Sequence, residues 1–216
     1  MKVLMIAPPG AGKGTQGVVI ASHFSIPHIA TGDLLRDHVA RSTEVGQAVK
    51  SYLDRGALVP DEVVLQMVRQ ALEPLRGGAG WVLDGVPRTM EQARALYEIA
   101  LELEMTADVA LHLQVEDAEL VRRLLARAAQ TGRSDDTEAV LRPRLALYYE
   151  VTHPILEWYG ERGILVSIAA NRAADAVGRQ VLTALEVLRQ VVERDDGTPR
   201  KAVDLTGLGS AFGARR

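Results

Sequence analysis

Short apolar runs alternate along the chain with longer stretches in which apolar residues recur every three or four positions. Four runs have the length and composition of buried strands: KVLMIA at 2–7, WVLDGV at 81–86, ADVALHLQV at 107–115 and GILVSIA at 163–169. A short fifth strand is expected at PHIA, 27–30. Because helical patterns separate the strands, the sequence predicts an α/β fold with a parallel sheet of about five strands flanked by helices.

The clearest helical pattern spans 173–194, where one apolar stripe contains Val177, Val181, Leu185, Leu188 and Val192. Three further helical patterns, TGDLLRDHVARS, EVGQAVKSYLDRG and PDEVVLQMVRQALEPL, follow the short strand without another strand between them. They predict a helical insertion near 31–60 over the edge of the sheet. A long helical pattern after Asp136 contains Pro143 and Pro154, where we expect bends because an interior proline removes a hydrogen bond.

Periodicity ends near residue 194. The remaining stretch, 195–216, is rich in glycine and charge and has few large apolar residues, which is typical of a flexible tail. We therefore predict one domain over 1–194 followed by that tail.

The composition limits the classes of function. Apolar residues make up 47% and charged residues 25% of the 216-residue chain, as in soluble globular proteins, and the net charge is -3. That charge gives no general attraction to nucleic acid or to a membrane surface, so anion binding needs local clusters of positive charge. The absence of cysteine excludes disulfides, thiolate zinc sites and a cysteine nucleophile. With neither a signal segment nor a long apolar run, we expect a cytoplasmic protein without a membrane partner.

The stretch IAPPGAGKGTQ at 6–16 lies between the first predicted strand and a helix, where a phosphate-binding loop belongs. The backbone amides that would surround phosphate oxygens belong to Gly10, Ala11, Gly12, Lys13, Gly14 and Thr15. The Lys13 ammonium is then placed for the outer phosphates, and the Thr15 hydroxyl for Mg²⁺. The alternative is a glycine-rich turn that binds no ligand.

This loop, together with TGDLLR at 31–36, DGVPRT at 84–89 and GRSDD at 132–136, resembles the adenylate kinase family. The resemblance covers about residues 1–193. It implies a P-loop kinase that transfers a phosphoryl group reversibly from ATP, with Mg²⁺, to AMP and gives two ADP. Two positions depart from the family pattern: Ala7 replaces the first loop glycine, and Val86 replaces the usual phenylalanine of the D-G-F-P-R motif.

The resemblance also implies an acceptor site. Thr31 and Gln92 would contact the acceptor base, main chain near Leu58 and Val59 would line its pocket, and Arg36 and Arg88 would hold its phosphate beside Gly85. Thr31 together with Gln92 favours AMP over UMP or CMP. Asp84 resembles the residue that holds magnesium through water. Without the resemblance, Thr31 or Asp33 reads as a helix N-cap and Arg36 as a solvated surface charge.

On the opposite side, the resemblance implies a short lid at 127–136 that lacks zinc. Its arginines would be Arg123, Arg127, Arg133 and Arg144, which with Lys13 and Arg88 would neutralise charge on the transferred group. Asp135 and Asp136 would orient some of these arginines, although they could equally cap the next helix. Arg122 reads as a surface charge. Pro143 directly precedes Arg144 and could redirect its side chain.

The expected partners are therefore ATP, AMP and ADP, bound by a monomer that does not bind nucleic acid. Two other readings stay open: a kinase for a different nucleoside monophosphate, and a nucleotide-binding module with weak catalysis.

Overall fold

The computed structural model describes residues 1–131 and 138–194, and it contains a five-stranded parallel sheet. The strands are β1 (Lys2–Ile6), β2 (His28–Ala30), β3 (Trp81–Asp84), β4 (Val109–Gln114) and β5 (Leu165–Ala169). Their order in the sheet is β2-β3-β1-β4-β5, and every neighbouring pair is parallel. The predicted α/β class and all the predicted strands are confirmed. The strand order reverses at β1, so the carboxyl ends of β1, β3 and β4 border the crevice where such sheets bind ligands.

Helices cover both faces of this sheet. They are α1 (Lys13–Phe24), α2 (Thr31–Ala40), α3 (Glu44–Asp54), α4 (Asp61–Leu72), α5 (Met90–Glu102), α6 (Asp117–Thr131), α7 (Glu138–Leu147), α8 (Ile155–Glu161) and α9 (Ala174–Arg194). The helices α2 and α3 occupy the stretch predicted as an acceptor-binding insertion. The tail 195–216 and residues 132–136 of the predicted lid lie outside the described residues.

Alternation along the strands divides the core into two layers. On one face, Val3 and Met5 of β1 pack with α1 and α9. On the other face, Leu4 and Ile6 pack with α4, α5 and α8. The predicted stripe of α9 is buried, with Val177, Val181, Leu185 and Leu188 at most 3% exposed, while the side chain of Val192 lies outside the described set.

The two interior prolines lie in different local structures. Helix α7 runs past Pro143 to Leu147, so the chain stays helical there. Before Pro154 the helix widens into a π-helical turn, Tyr148–Thr152, in which the His153 N–H donates to the Tyr148 carbonyl at 2.8 Å. Pro154 has no N–H to continue the ladder, and a new helix begins at Ile155.

No helix within residues 1–131 and 138–194 has the length and apolarity needed to cross a membrane.

Candidate active site

The loop between β1 and α1 has the backbone shape of an anion-binding turn. Gly10 (φ 86°) and Gly12 (φ 92°) adopt left-handed conformations, and Gly12 is the N-cap of α1. A Cβ at Gly10 would lie 2.8 Å from Leu124 Cγ, so α6 packs directly on the loop. Lys13, Gly14 and Thr15 form the first turn of α1, whose N–H groups have no partner within the helix and can face an anion.

The Lys13 ammonium donates to loop carbonyls, to Ala7 O at 2.6 Å and to Pro8 O at 3.2 Å. Burial lowers the pKa of Lys13 from 10.5 to about 8; the Asp84 carboxylate opposes this, while Arg88, Arg144 and Arg127 lower the pKa further. Nearby positive charges thus disfavour the charged form of Lys13. A bound polyanion would offset this repulsion and stabilise the ammonium.

The two departures from the family pattern fit the core. Ala7 is 6% exposed and packs on the α1 and α9 side of the sheet. Its φ is not positive, because the non-glycine residues with positive φ in the described chain are Ser25, Ser42 and Glu104. A methyl group at residue 7 therefore costs no left-handed backbone strain. Val86 is 1% exposed in the other core layer.

An open cleft lies at the carboxyl ends of the strands. The cationic side chains that line it were all candidates from the sequence: Lys13, Arg36, Arg88, Arg123, Arg127 and Arg144. Asp33 and Asp84 line the same cleft. Clustering of this kind supplies the local positive charge that a protein of net charge -3 needs for binding polyphosphates.

Arg88 has its main chain held on both sides. Its N–H donates to Gln92 Oε1 at 2.7 Å, and its carbonyl accepts from Thr152 Oγ1 at 2.9 Å. Its Nε donates to Gly85 O at 2.7 Å. These bonds fix the origin and direction of the side chain, which leads into the cleft.

A second pocket adjoins the cleft on the side of α2 and α3. The predicted acceptor-side residues meet there: Thr31, Arg36, Leu58, Val59, Gly85, Arg88 and Gln92. Thr31 is 2% exposed and donates to Asp84 O at 3.2 Å, and Arg36 is paired with Asp33. A Cβ at Gly85 (φ 92°) would lie 2.4 Å from Thr31 Oγ1, so only glycine fits beside this threonine.

Gln92 has a partner that sequence reasoning missed. Its Nε2 donates to Asp61 Oδ1 at 2.7 Å, and Asp61 Oδ2 accepts from Thr89 Oγ1 at 3.1 Å. Thr89 is the N-cap of α5 and accepts the Gln92 N–H at 3.0 Å. The T-x-x-Q spacing signals such a cap. No pattern links Asp61 to a glutamine 31 positions away.

The lid-side arginines have different anchors. Arg123 donates to Glu119 Oε1 at 2.7 Å and to the carbonyls of Ala170 at 2.8 Å and Arg172 at 3.2 Å, while still lining the cleft. Arg122 is 69% exposed, as a surface charge should be.

Arg144 packs its aliphatic part on Gly56, where a Cβ would lie 2.7 Å from Arg144 Cγ. This contact joins α7 to the helical insertion. Arg133, Asp135 and Asp136 lie outside the described residues.

The oxygen donors in the cleft suit a hard cation. Thr15 and Asp84 both line it, and Asp84 Oδ2 lies over the start of α1, 4.0 Å from where a Cβ on Gly14 would be. Across the described ranges, no three or more His, Cys, Asp or Glu side chains are grouped to hold a metal by themselves. Mg²⁺ fits this sparse set, because it keeps several waters and takes its other oxygens from one or two protein groups and from phosphates.

A parallel sheet with a phosphate loop after its central strand and an arginine-lined cleft at the strand ends defines the P-loop class of nucleotide kinases. The family model described as adenylate kinase matches residues 5–164. The chain is 44% identical over 186 residues to the adenylate kinase of Thermobifida fusca, covering 86% of this chain and 98% of that protein. It is 43% identical over 184 residues to the adenylate kinase of Leptospira biflexa, covering 85% and 99%. The chain therefore belongs to the adenylate kinase family, and it is a nucleotide-binding enzyme that transfers phosphoryl groups.

Proposed function

We propose that this enzyme catalyses the reversible, Mg²⁺-dependent transfer of the terminal phosphoryl group of ATP to AMP, giving two ADP. The observation that carries the proposal is that Gly85, Arg88 and Arg144 line both the phosphate-loop cleft and the acceptor-side pocket. Two nucleotides bound on opposite sides would bring their phosphates together at these residues.

The donor side is assigned to the loop. The amides of Gly10, Ala11, Gly12, Gly14 and Thr15 would hold the phosphates of ATP, and the Lys13 ammonium would contact the outer ones. Arg127, on α6, would close on the same phosphates from the other side of the cleft. Mg²⁺ would be held by Thr15 and, through water, by Asp84, and it would neutralise charge on the phosphates.

The acceptor side is assigned to the second pocket. Thr31, Gln92 and main chain at Leu58 and Val59 would surround adenine. Arg36 and Arg88 would hold the AMP phosphate, since a planar guanidinium can donate two parallel hydrogen bonds to it.

Positioning and charge neutralisation then carry the reaction, which requires no side-chain nucleophile. Arg88, Arg123 and Arg144, with Arg133 from the lid, would neutralise the charge that develops on the transferred group. Closure of the lid at 127–136 would exclude water and so prevent hydrolysis. The proposal further includes a monomeric enzyme that requires no zinc.

A coupled assay of ADP formation tests the proposal. ATP is supplied with AMP, CMP, UMP or GMP, with Mg²⁺ or with EDTA. We expect kcat/KM for AMP to exceed that for the other acceptors by at least about tenfold, since a base edge without its hydrogen-bond partner costs about 1–3 kcal/mol. EDTA should abolish turnover, and Mg²⁺ should restore it. A preference for CMP or UMP would show that the enzyme is a kinase for a different nucleoside monophosphate. ATP binding without turnover on any acceptor would show that the protein is a nucleotide-binding module.

A further inference from the structure

The carboxylate of Asp61 joins two parts of the acceptor side. Asp61 is the first residue of α4, immediately after the helical insertion, while its partners Thr89 and Gln92 belong to the start of α5. We propose that Asp61 is a positioning residue that fixes the orientation of the Gln92 carboxamide and thereby sets the choice of acceptor base. The inference rests on the proposed function, in which Gln92 contacts the base.

The partners of Gln92 determine which way its amide points. Its Oε1 accepts from the Arg88 N–H, which can only donate, and its Nε2 donates to the Asp61 carboxylate, which can only accept. If the amide turned over, two N–H groups would face each other at Arg88, and two oxygens would face each other at Asp61. Gln92 is 1% exposed, so water has no room to relieve either mismatch. The amide is therefore fixed at both ends.

Asp61 supplies the stronger of these two constraints. Its bond to Gln92 is charge-assisted, and such bonds are about twice as strong as those between neutral groups. Its second oxygen accepts from Thr89, whose own oxygen accepts the Gln92 N–H, so the three residues form a closed ring of hydrogen bonds. The carboxylate is thus itself held in place rather than free to follow a turning amide.

A fixed amide selects one hydrogen-bonding pattern. One hydrogen on Nε2 and one lone pair on Oε1 remain after the internal bonds are counted, and Gln92 lines the acceptor-side pocket. A carboxamide with its donor and acceptor in fixed places complements the adjacent donor and acceptor of an adenine edge. A base that carries an oxygen in place of the adenine amino group requires the reversed amide.

IMP is the matched probe for this selection. Its ring skeleton is that of AMP, but position 6 carries an acceptor oxygen instead of a donor amino group. The ratio of kcat/KM for AMP to kcat/KM for IMP (the AMP/IMP ratio) therefore depends little on the shape of the base. It depends mainly on whether the base can form hydrogen bonds with the Gln92 amide in its fixed orientation. A role of Asp61 in stability alone would leave this ratio unchanged.

The test compares Asp61→Asn with Glu62→Gln, which makes the same charge change one residue along α4 on an exposed side chain. Asparagine at position 61 can accept or donate, so it removes the penalty on the reversed amide at that end. We expect the AMP/IMP ratio to fall at least about tenfold in Asp61→Asn, the KM for ATP to stay within about twofold, and Glu62→Gln to match the wild type. An unchanged ratio in folded Asp61→Asn, or an equal fall in Glu62→Gln, overturns the inference.

A second pair of variants covers a loss of folding in Asp61→Asn. Gln92→Glu places two carboxylates against each other, and adding Asp61→Asn to it restores a donor opposite an acceptor. The double variant should therefore melt at a higher temperature than Gln92→Glu alone; if it melts no higher, the two side chains are not coupled and the inference fails. The wild type separates the two proposals, because lack of turnover with AMP would overturn the proposed function itself, before any variant is compared.

Discussion

Gly17 is a helical position at which the structure leaves no space for a side chain. A Cβ there would lie 2.4 Å from Nε2 and 2.8 Å from Cε1 of His28, at the start of β2. The His28 Nε2 is buried and has no hydrogen-bond partner in the described chain, so the ring is held by packing on that side. Gly17→Ala would therefore have two opposing effects on stability: alanine favours the helix more than glycine does, but its methyl group would clash with His28.

The two effects can be compared in magnitude. Alanine stabilises a helix interior by about 1 kcal/mol relative to glycine, whereas overpacking of a core costs about 1–3 kcal/mol. We expect Gly17→Ala to lower the free energy of unfolding by up to about 2 kcal/mol. In a His28→Ala background the clash disappears, and the same substitution should raise that free energy by about 1 kcal/mol.

Urea unfolding of the four proteins in this cycle measures both values. Gly160→Ala is the control, because a Cβ there meets only Leu165 Cδ2, at 3.9 Å, and should not destabilise. The reversal of sign is the decisive observation. If Gly17→Ala stabilises the wild type, or if its effect is the same with and without the imidazole, close packing of α1 on β2 is not the reason for glycine at this position.

Three further substitutions test residues of the loop and of the proposed acceptor site. Lys13→Met should lower kcat at least about 1000-fold in a folded protein, and near-normal turnover would remove this lysine from the site. Burial lowers the pKa of Lys13 from 10.5 to about 8, so the charged lysine destabilises the fold below pH 8. The free energy of unfolding of the wild type should therefore rise relative to that of Lys13→Met between pH 8 and 10.5. A difference that does not change with pH would contradict this. Arg88→Lys should lower kcat/KM for AMP by about 10- to 100-fold, because a point charge cannot replace a planar fork, while the exposed control Arg122→Lys should change nothing. Ala7→Gly should change the KM for ATP less than tenfold, and a larger change would show that residue 7 affects nucleotide binding. The same substitution should lower the free energy of unfolding by about 1–2 kcal/mol, because it removes a buried methyl group and raises the conformational entropy of the unfolded chain.

The strands were predictable because each is a short apolar run that ends at a change of composition. Their ends were less so. The run 81–86 predicted a strand through Val86, but β3 stops at Asp84 because Gly85 takes a left-handed turn. Likewise, the apolar pattern does not distinguish an α-helix from the π-helical turn at Tyr148–Thr152, since that choice depends on which carbonyls lose a donor before Pro154.

Motif residues were predictable as a group, and the structure brings those in the described chain to one edge of the sheet. What the sequence could not supply is the set of bonds from side chains to distant partners. Asp61 with Gln92, Arg123 with the Ala170 carbonyl, and Thr152 with the Arg88 carbonyl span separations of 31, 47 and 64 residues. Such bonds depend on how helices pack in three dimensions, and they leave no periodic trace in a single sequence.

The bonds from the Lys13 ammonium to the carbonyls of Ala7 and Pro8 engage two of its three N–H groups. In the proposed complex a first phosphate oxygen would take the third N–H group, whereas a second would have to replace a carbonyl oxygen, so that the contribution of the second contact to affinity is the difference between two coordination shells. A carbonyl group offers the ammonium only a dipole, whereas a phosphate oxygen carries negative charge. The difference between the two shells therefore grows with the charge of the ligand. The exchange would therefore favour a triphosphate over a monophosphate at this loop more strongly than the number of hydrogen bonds alone would suggest. The two carbonyls thus compete with the ligand for the ammonium, and a weakly charged anion would displace them poorly.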